Sequence, residues 1–321
     1  MNNVQAAPPE TVLVILNPAS GQGDPVATRE AVEAFLGARG LEYQVRETEA
    51  QGDARRWAKE TEAELVIASG GDGTIMEAMN GVIENPRRPL LAQLPLGTAN
   101  LLARALGVPG ELGAALELAL EGAVAELDVG YLAEHDLYFA LVAGAGWDAQ
   151  LIEGATREIK DRLGFLAYIV SGVKTLFALR PSRITLEIDG RERRVRAHTV
   201  MIINVGEMLG SGITLGADIT PHDGKLDVAI VTPTGVLGLV RLALKLLFKR
   251  FENGRELSYL SAERIRVSAS PPLKLEVDGE AIGTTPFAAE VRPKAVRLVV
   301  PAEYIEVKRL PRLARRQREA A

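Results

Sequence analysis

The chain has 321 residues, 47% of them hydrophobic, and its formal net charge at pH 7 is −5. This length is enough for two domains, and the acidic balance argues against a nucleic-acid-binding protein, which would normally be basic. The sequence contains no cysteine and only three histidines. Disulfides, thiol nucleophiles and cysteine-ligated zinc are therefore excluded. Three histidines also leave few candidates for a histidine-rich metal site or a histidine-dependent catalytic triad.

The start of the chain is not typical of a signal peptide. The sequence MNNVQAAPPETVLVILNP places no basic residue before a very short apolar run. The longest apolar stretch elsewhere, GVLGLVRLALKLLF, contains Arg241 and Lys245 and is too short and too charged to span a bilayer. We therefore expect a cytoplasmic protein, which could also be peripheral at the inner face of the membrane.

Apolar strands and helical segments alternate in the first part of the chain. The strand-like runs are TVLVIL, LEYQVRET, ELVIAS and LLAQLPL, and the helical segments are 25–38, 53–62, 74–84 and 98–106. This alternation predicts a doubly wound α/β domain with a mainly parallel sheet over residues 1–132. Ligands of such sheets bind at the carboxyl ends of the strands.

The pattern changes after about residue 133. A helical stretch over 151–179 is followed by strand-like runs joined by Asp-Gly turns, such as RITLEIDGRERRVRAH and LKLEVDGEAI. These runs predict a largely antiparallel β-sandwich within a second domain over residues 133–300. The basic segment 301–321 is expected to pack back on the first domain or to form a loose tail.

Three glycine-containing turns each follow a predicted strand and lead into a predicted helix. They are NPASGQGD from Asn17, SGGDGT from Ser69, and LPLGTAN from Leu94. Bare amides at a helix N-terminus attract an anion, because the unpaired N–H groups and the helix dipole point the same way. One such turn could need glycine for shape alone. Three at one sheet edge favour a site for the phosphates of a nucleotide.

Asp72 is unusual in a phosphate-binding turn because its charge would repel a phosphate. A Mg²⁺ ion between the two groups would explain it. Asp72 could also cap a helix N-terminus, and both roles stay open at this stage. The sequence has no G-x-x-x-x-G-K-[ST] motif and no G-x-G-x-x-G after the first strand. It therefore lacks the P-loop and the dinucleotide-binding loop that are common in nucleotide-binding proteins.

With these turns in view, the sequence resembles the diacylglycerol kinase-like family of lipid kinases, which includes sphingosine kinases and bacterial YegS-type proteins. The resemblance continues through GAGWDA, REIKDRLGFLAY, NVGEMLGSG, DGKLDV and VDGE, and covers nearly the whole chain in order. It implies an ATP-binding first domain and a β-sandwich that supplies lipid contacts. The implied nucleotide contacts are Asn17, Pro18, Ser20, Gly21, Thr48, Gly70, Gly71, Asp72, Gly73, Thr74, Gly97, Thr98 and Asn100.

The same resemblance implies two magnesium sites and a general base. Asp72 and Asp128 would help to organise a catalytic Mg²⁺, and a structural Mg²⁺ site maps to Asp223 with main-chain carbonyls of Thr220 and Lys225. Phosphoryl transfer to an alcohol also needs a group that accepts the hydroxyl proton. The family places a carboxylate for this in the VDGE segment.

That carboxylate is Glu280 in this chain. On residue chemistry alone, EVDGEAI is equally well a plain Asp-Gly hairpin. The internal example EIDGRER carries arginine where Glu280 stands. The resemblance makes Glu280 the first choice for the catalytic base, beside Asp72 and Asp128.

Two positions depart from the family pattern. Leu101 stands where most diacylglycerol kinase members have aspartate after the Asn of Pro-x-Gly-Thr-x-Asn, and His222 replaces the first aspartate of Asp-Asp-Gly. Neither change touches Asp72, Asp223 or Glu280. They leave the chemistry in place and put the identity of the lipid in question.

The stretch 235–255 predicts an apolar helix that carries grouped cations, namely Arg241, Lys245, Lys249 and Arg250. It could pack on the sandwich, or it could dock at a membrane with its cations on anionic headgroups. The expected partners are thus a lipid substrate and a membrane surface, with no nucleic acid. The oligomeric state stays open, a homodimer being one option.

The expected function is an ATP- and Mg²⁺-dependent lipid kinase, with diacylglycerol as acceptor and phosphatidic acid as product. Two alternatives are an NAD kinase-like enzyme and a nucleotide- or lipid-binding regulator without turnover. The series of motifs from Gly144 to Glu280 speaks against the first alternative. The intact Gly-Gly-Asp-Gly-Thr, Asp223 and Glu280 speak against the second.

Overall fold

The computed structural model describes residues 9–20, 24–146, 181–206, 219–232, 235–247 and 254–305. The chain divides into two compact units. The first ends at Leu127 and resumes at Lys294, and the second runs from Asp128 to Pro293. Predicted features at Gly21, in the helical stretch 151–179 and beyond residue 305 lie outside the described residues.

The first unit contains a parallel sheet in the strand order β2-β1-β3-β4. Its strands are β1 (Thr11–Leu16), β2 (Glu42–Glu47), β3 (Leu65–Gly70) and β4 (Leu90–Pro95). Leu298, near the end of the long strand β16 (Phe287–Val300), pairs in parallel with Leu91 beside β4. The unit's helices are α1 (Pro25–Gly37), α2 (Asp53–Glu60), α3 (Asp72–Glu84), α4 (Leu101–Leu106) and α5 (Leu112–Glu121).

Apolar side chains are buried on both faces of this sheet. On one face, Val14 and Ile67 pack with Leu36 of α1 and Leu116 of α5. The alternate strand residues are buried too, for example Ile15, which is fully inaccessible. A parallel sheet covered on both faces needs mostly apolar strands, which explains why β1, β3 and β4 are rich in consecutive hydrophobic residues, with Gln93 a buried polar exception in β4.

The second unit contains two antiparallel sheets. One has the order β16-β13-β8-β9, with β8 (Ser182–Ile188), β9 (Arg191–Ala197) and β13 (Arg264–Ser270). The other has the order β12-β11-β10-β7-β14-β15. Its strands are β7 (Val142–Ala145), β10 (Thr199–Ile203), β11 (Leu226–Val231), β12 (Leu257–Ala262), β14 (Lys274–Val277) and β15 (Glu280–Thr284).

The inner faces of the two sheets share one core. Leu186 and Val267 from the first sheet pack in the same cluster as Val200, Val228 and Leu275 from the second. Along β8, buried and more exposed residues alternate, as one buried face requires. The helix α6 (Gly235–Leu247), the 3₁₀ turn Ala133–His135 and the short strand β6 (Leu137–Phe139) complete the described elements of this unit.

The predicted fold class is confirmed: a mainly parallel α/β domain is followed by an antiparallel sandwich. The structural division differs slightly from the boundaries predicted at 132 and 300. Strand β5 (Ala123–Leu132) and strand β16 each run from one unit into the other. The run AVRLVVP was predicted as a strand of the second domain; its residues up to Val300 form the end of β16, where Leu298 pairs in parallel with Leu91 of β4.

Candidate active site

The predicted turns of the first unit meet at the carboxyl-terminal edge of its parallel sheet. The amide of Asn17, directly after β1, donates to the carbonyl of Ser69 over 2.9 Å. Thr48, directly after β2, donates its amide to the last residue of β1 over 2.8 Å. The amide of Gly97, after β4, donates to Gly70 over 3.2 Å. The edge therefore gathers all the described loops that the sequence assigned to a nucleotide.

A surface pocket opens beside these turns. It is lined by Leu16, Asn17, Pro18, Ser20, Pro25, Thr28, Glu47, Ser69 and Leu96. Pro25, Thr28 and Glu47 were missed by sequence reasoning, although their places at the start of α1 and just before Thr48 could have suggested them. No lysine or arginine belongs to this described lining. A bound anion would therefore depend on backbone amides and hydroxyl groups.

The side chain of Asn17 links two of the turns. Its Nδ2 donates to the hydroxyl oxygen of Thr74 over 2.8 Å, and its Oδ1 accepts from the amide of Ala19 over 3.0 Å. Thr74 is buried, and a Cβ on Gly70 would lie 2.7 Å from the Thr74 Cβ. Asn17 therefore fixes the Thr74 hydroxyl, and Gly70 leaves the room that this side chain needs.

The turns after β3 and β4 touch through bare backbone. A Cβ on Gly97 would lie 2.4 Å from the Cα of Gly71 and 2.8 Å from the Asn100 Oδ1. Real Cβ atoms do not make contacts this short, so neither loop could keep its place with a side chain at position 97. Glycine at position 97 is thus required by the close approach of the two loops.

Asp72 caps a helix, but not the helix that it begins. It is the first residue of α3, and its Oδ1 accepts from the amides of Leu101 and Leu102, at the start of α4, over 2.7 and 3.4 Å. The N-cap of α3 is Gly71, and no side chain caps that helix. In the described part of the chain, no side-chain cap is thus seen at the start of α3, while Asp72 ties the Gly-Gly-Asp-Gly-Thr turn to the Pro-x-Gly-Thr-x-Asn turn.

Asn100 closes the third turn in a left-handed conformation, with φ of 49°. Its Nδ2 donates to the carbonyls of Pro95 and Gly97 over 2.9 and 2.7 Å. Its Oδ1 is buried and accepts no hydrogen bond in the described part of the structure. Thr98, in the same turn, is exposed, as is Gly73 in the neighbouring turn. Gly21 lies outside the described residues.

In the second unit, Asp128 holds the turn that contains the predicted structural metal site. Asp128 is buried, and its Oδ2 accepts from the amide of Gly224 over 2.7 Å. Its own amide donates to the carbonyl of Pro221 over 2.8 Å. Asn204, also buried, donates to the Asp128 carbonyl over 2.8 Å. Asp128 thus fixes the turn over 220–225 through its hydrogen bonds with Gly224 and Pro221.

The three predicted ligands of the structural metal lie in that turn. Asp223 is exposed, and its Oδ1 accepts from the amide of Lys225 over 3.1 Å. Thr220 is half-buried. Within the described ranges, no group of three or more histidine or acidic side chains could hold a metal ion. A cation at this turn would therefore depend on the Asp223 carboxylate and main-chain carbonyls, and this site stays a prediction.

Glu280 is the exposed first residue of β15, and it follows a turn that is anchored by Asp278. The Asp278 Oδ1 accepts from the amides of Leu141 and Val142 over 3.0 and 2.8 Å, and its Oδ2 accepts from the amide of Ala140 over 3.0 Å. Sequence reasoning missed this role of Asp278, because its partners lie far away along the chain.

The other Asp-Gly turn, at Asp189, is also anchored by an aspartate that accepts hydrogen bonds from main-chain amides. Asp189 and Asp278 share a φ of 48°, and the Asp189 Oδ1 accepts from the amides of Glu263 and Arg264 over 3.0 and 2.9 Å. This turn carries Arg191 where the other carries Glu280. The two turns therefore share a backbone design and differ in the side chain that they present.

We expect Asp278→Ala to destabilise the second unit by about 3 kcal/mol, because three amides lose a charged acceptor. Asp189→Ala, which removes the acceptor of two exposed amides, should cost less. Urea unfolding of the two variants beside the wild type would measure both free energies. If both variants lost the same free energy of unfolding, the contacts of Asp278 would stabilise the protein no more than those of Asp189.

Comparison with known proteins places the chain in a family. The family model "Diacylglycerol kinase catalytic domain" matches residues 11–132, and the model "YegS C-terminal NAD kinase beta sandwich-like domain" matches residues 141–300. The diacylglycerol kinase of Bacillus subtilis is 31% identical over 297 residues, which is 91% of this chain and 97% of that protein. The chain belongs to the family of diacylglycerol kinases and YegS-type lipid kinases.

Other members of the lipid kinase family align over similar lengths. The protein named "Probable lipid kinase YegS" in Salmonella gallinarum is 31% identical, over 91% of this chain and 96% of that protein. A crystal structure of a diacylglycerol kinase from Bacillus anthracis superposes with a TM-score of 0.75 at 26% identity, and covers 93% of this chain and 99% of its own.

The predicted resemblance and enzyme class are thereby confirmed. As a lipid kinase, the protein is a phosphotransferase with an alcohol group as acceptor, its family implies ATP as donor, and its substrate is a lipid. No helix in the described part of the chain is long and apolar enough to cross a bilayer.

The partly buried carboxylate of Asp72 lowers the stability of the lipid kinase when it is ionised. Burial raises the pKa of the Asp72 carboxyl above its ordinary value, and the amides of Leu101 and Leu102 oppose this shift. The folded protein therefore binds this proton more tightly than the unfolded chain does. The free energy of unfolding then falls as the pH rises from the ordinary aspartate pKa through the folded value.

We expect Asp72→Asn to melt at least as high as the wild type at neutral pH, because asparagine keeps an oxygen for Leu101 and carries no charge. This advantage should shrink as the pH falls to about 4. Asp53→Asn is the control of opposite sign, since amides of Glu49 and Ala50 lower the pKa of Asp53. Melting curves over this pH range test both. An Asp72→Asn protein that melts lower at neutral pH would contradict the expectation.

Proposed function

We propose that this protein is an ATP- and Mg²⁺-dependent kinase that phosphorylates the free hydroxyl of diacylglycerol. One observation carries the proposal: the turns after β1, β3 and β4 interlock at one sheet edge, through the Asn17–Thr74 hydrogen bond, the Gly71–Gly97 approach and the Asp72 hydrogen bonds. This arrangement supports a rigid cradle of amides and hydroxyls, which suits the phosphates of a nucleotide.

The nucleotide would lie against the first unit. The uncapped N-terminus of α3 and the fixed hydroxyl of Thr74 suit its phosphates, and the pocket beside Asn17 and Ser20 suits the rest of the molecule. Because the described pocket lining lacks cations, the amides and a metal ion would have to balance the phosphate charge.

The first unit also offers hard oxygen atoms for magnesium. The Asp72 carboxylate and the buried, unpaired Oδ1 of Asn100 belong to neighbouring turns that are hydrogen-bonded to each other. Carboxylate and amide oxygens are ligands that suit Mg²⁺. Magnesium held there would offset the charge that builds up on the transferred phosphoryl group. Asp223, with main-chain carbonyls of Thr220 and Lys225, would serve a second cation at the turn over 220–225, which Asp128 holds in place.

Glu280 would act as the general base. It is exposed at the start of β15, on a turn that Asp278 holds in place through three amides. In the reaction, the lipid hydroxyl oxygen bonds to the γ-phosphorus and the bond from that phosphorus to the β–γ bridging oxygen breaks. The hydroxyl proton passes to Glu280, and ADP leaves.

The choice of diacylglycerol rests on a relative's name. The Bacillus subtilis protein that aligns over 91% of this chain is called a diacylglycerol kinase. Leu101 and His222 depart from the family pattern, as the sequence indicates. Because of these two departures, the identity of the acceptor lipid is the first property to test.

The test is ADP release from Mg-ATP by the purified protein with diacylglycerol, sphingosine, ceramide, phosphatidylglycerol or NAD as acceptor. The proposal expects release with diacylglycerol that disappears when the metal is chelated. Release with another lipid alone would change the substrate and keep the class. Release with NAD alone would overturn the proposal.

A further inference from the structure

The helix α6 packs on the outside of the six-stranded sheet through one face only. Leu242 is 2% exposed and contacts a cluster that includes Ile203, Ala229 and Leu257. Gly238, one turn earlier, is buried too. Leu242 and Gly238 lie four residues apart, so they share one side of the helix.

The other face of α6 is apolar and exposed. Leu237 is 62% exposed, and Val240 and Leu244 are each 47% exposed. Spacings of three, four and seven residues place these side chains in one stripe, roughly opposite Leu242. In the described part of the chain, the other large apolar side chains of comparable exposure are Val26 and Tyr43, both in the first unit. Solvent exposure of such a stripe is costly unless something covers it.

Positive charge borders this stripe. Arg241 and Lys245 lie 3.9 and 3.7 Å from the carboxylate oxygens of the buried Glu256. Two cations share one carboxylate, so the group retains a net positive charge. Lys249 and Arg250 follow in the sequence, outside the described residues. The helix thus combines an apolar stripe with flanking cations, which is the pattern of a helix that lies at the surface of an anionic membrane.

We propose that the stripe formed by Leu237, Val240 and Leu244 docks on the anionic bilayer that holds the lipid substrate. The apolar side chains would enter the acyl boundary, while Arg241 and Lys245 would meet the headgroups. A second protein copy would not need the flanking cations, whereas an anionic bilayer matches both features. This inference rests on the proposed function in one respect: a kinase of membrane lipids would gain access to its substrate by docking.

The test is co-sedimentation of the full chain with vesicles of equimolar phosphatidylcholine and phosphatidylglycerol, in EDTA and without nucleotide. The double variant Leu237→Gln/Leu244→Gln should bind these vesicles at least about tenfold more weakly than the wild type. Val26→Gln is the matched control, because it removes an equally exposed apolar side chain from the first unit. Wild-type binding should also weaken as salt rises, and Arg241→Gln should reduce that salt dependence.

Equal binding by the wild type and the double variant would overturn the proposal, as would absence of wild-type binding at low salt. A wild-type dimer in gel filtration that the double variant loses, without a change in vesicle binding, would assign the stripe to a second copy and also overturn it. Melting curves would confirm that all three variants are folded. Because the binding assay needs no turnover, docking can stand if the kinase activity fails, and the reverse also holds.

Discussion

The variant Glu280→Gln is expected to lower kcat by about 10²- to 10⁴-fold, since general-base catalysis contributes rate enhancements of this size. Glutamine has nearly the same shape but cannot accept the hydroxyl proton at neutral pH. Glu280 is exposed, and Asp278 fixes the turn before it. Neither the fold nor ATP binding should therefore change. Steady-state assays together with nucleotide titration separate the two effects.

The chain offers a matched control for Glu280. Glu192 is exposed and follows the related Asp189-Gly190 turn. Glu192→Gln should leave kcat unchanged within a factor of about two, as surface substitutions usually do. If Glu280→Gln retained wild-type turnover, the general base would have to be another residue. If it lost nucleotide binding as well, its role would not be limited to proton transfer.

The variant Gly97→Ala is expected to lower kcat/KM for ATP by about 100-fold, because small displacements of positioning groups cost that much. The new methyl group would lie 2.4 Å from the Cα of Gly71, and backbone cannot move aside as a flexible side chain can. The turns after β3 and β4 would have to separate. This would disturb the hydrogen bond from Leu101 to Asp72, and stability should fall by about 1–3 kcal/mol.

Gly110→Ala is the control for this substitution. A Cβ at Gly110 would meet nothing within 4 Å, and its backbone conformation suits alanine. That variant should bind ATP and unfold like the wild type. If Gly97→Ala bound ATP with unchanged affinity in a calorimetric titration, the interlocked turns would not be the nucleotide cradle.

Local patterns predicted strands β1 to β4 and helices α1 to α4 of the first unit, whereas α5 (Leu112–Glu121) was not among the predicted helices. The run TVLVIL is β1, and the predicted helix over 25–38 is α1, because apolar runs and helical periodicity report burial directly. The turns after β1, β3 and β4 were also placed at one edge, since parallel strands must bring them there. The alternatives left open for the helix over 235–255 are partly resolved, because α6 packs through Leu242 and yet exposes another apolar face.

Long-range partners could not be predicted. Asp72 was expected to cap a helix N-terminus, to bind metal, or both, but the sequence did not show that the helix it caps is α4, whose Leu101 amide lies 29 residues away. The acceptor role of Asp278 for Val142 joins residues 136 positions apart. No periodicity encodes such contacts, because they depend on how the strands are ordered in space. The same limit applies to the parallel pairing of Leu298 with Leu91.

The most direct measurement is transfer of labelled γ-phosphate from ATP to diacylglycerol presented in mixed micelles, with the lipid product identified by mass. We expect phosphatidic acid from the wild type in Mg²⁺, and a strong loss of product with Glu280→Gln or Asp72→Asn. Wild-type protein that binds ATP but forms no labelled lipid would contradict diacylglycerol as acceptor. Equal product from the wild type and Glu280→Gln would contradict the proposed base.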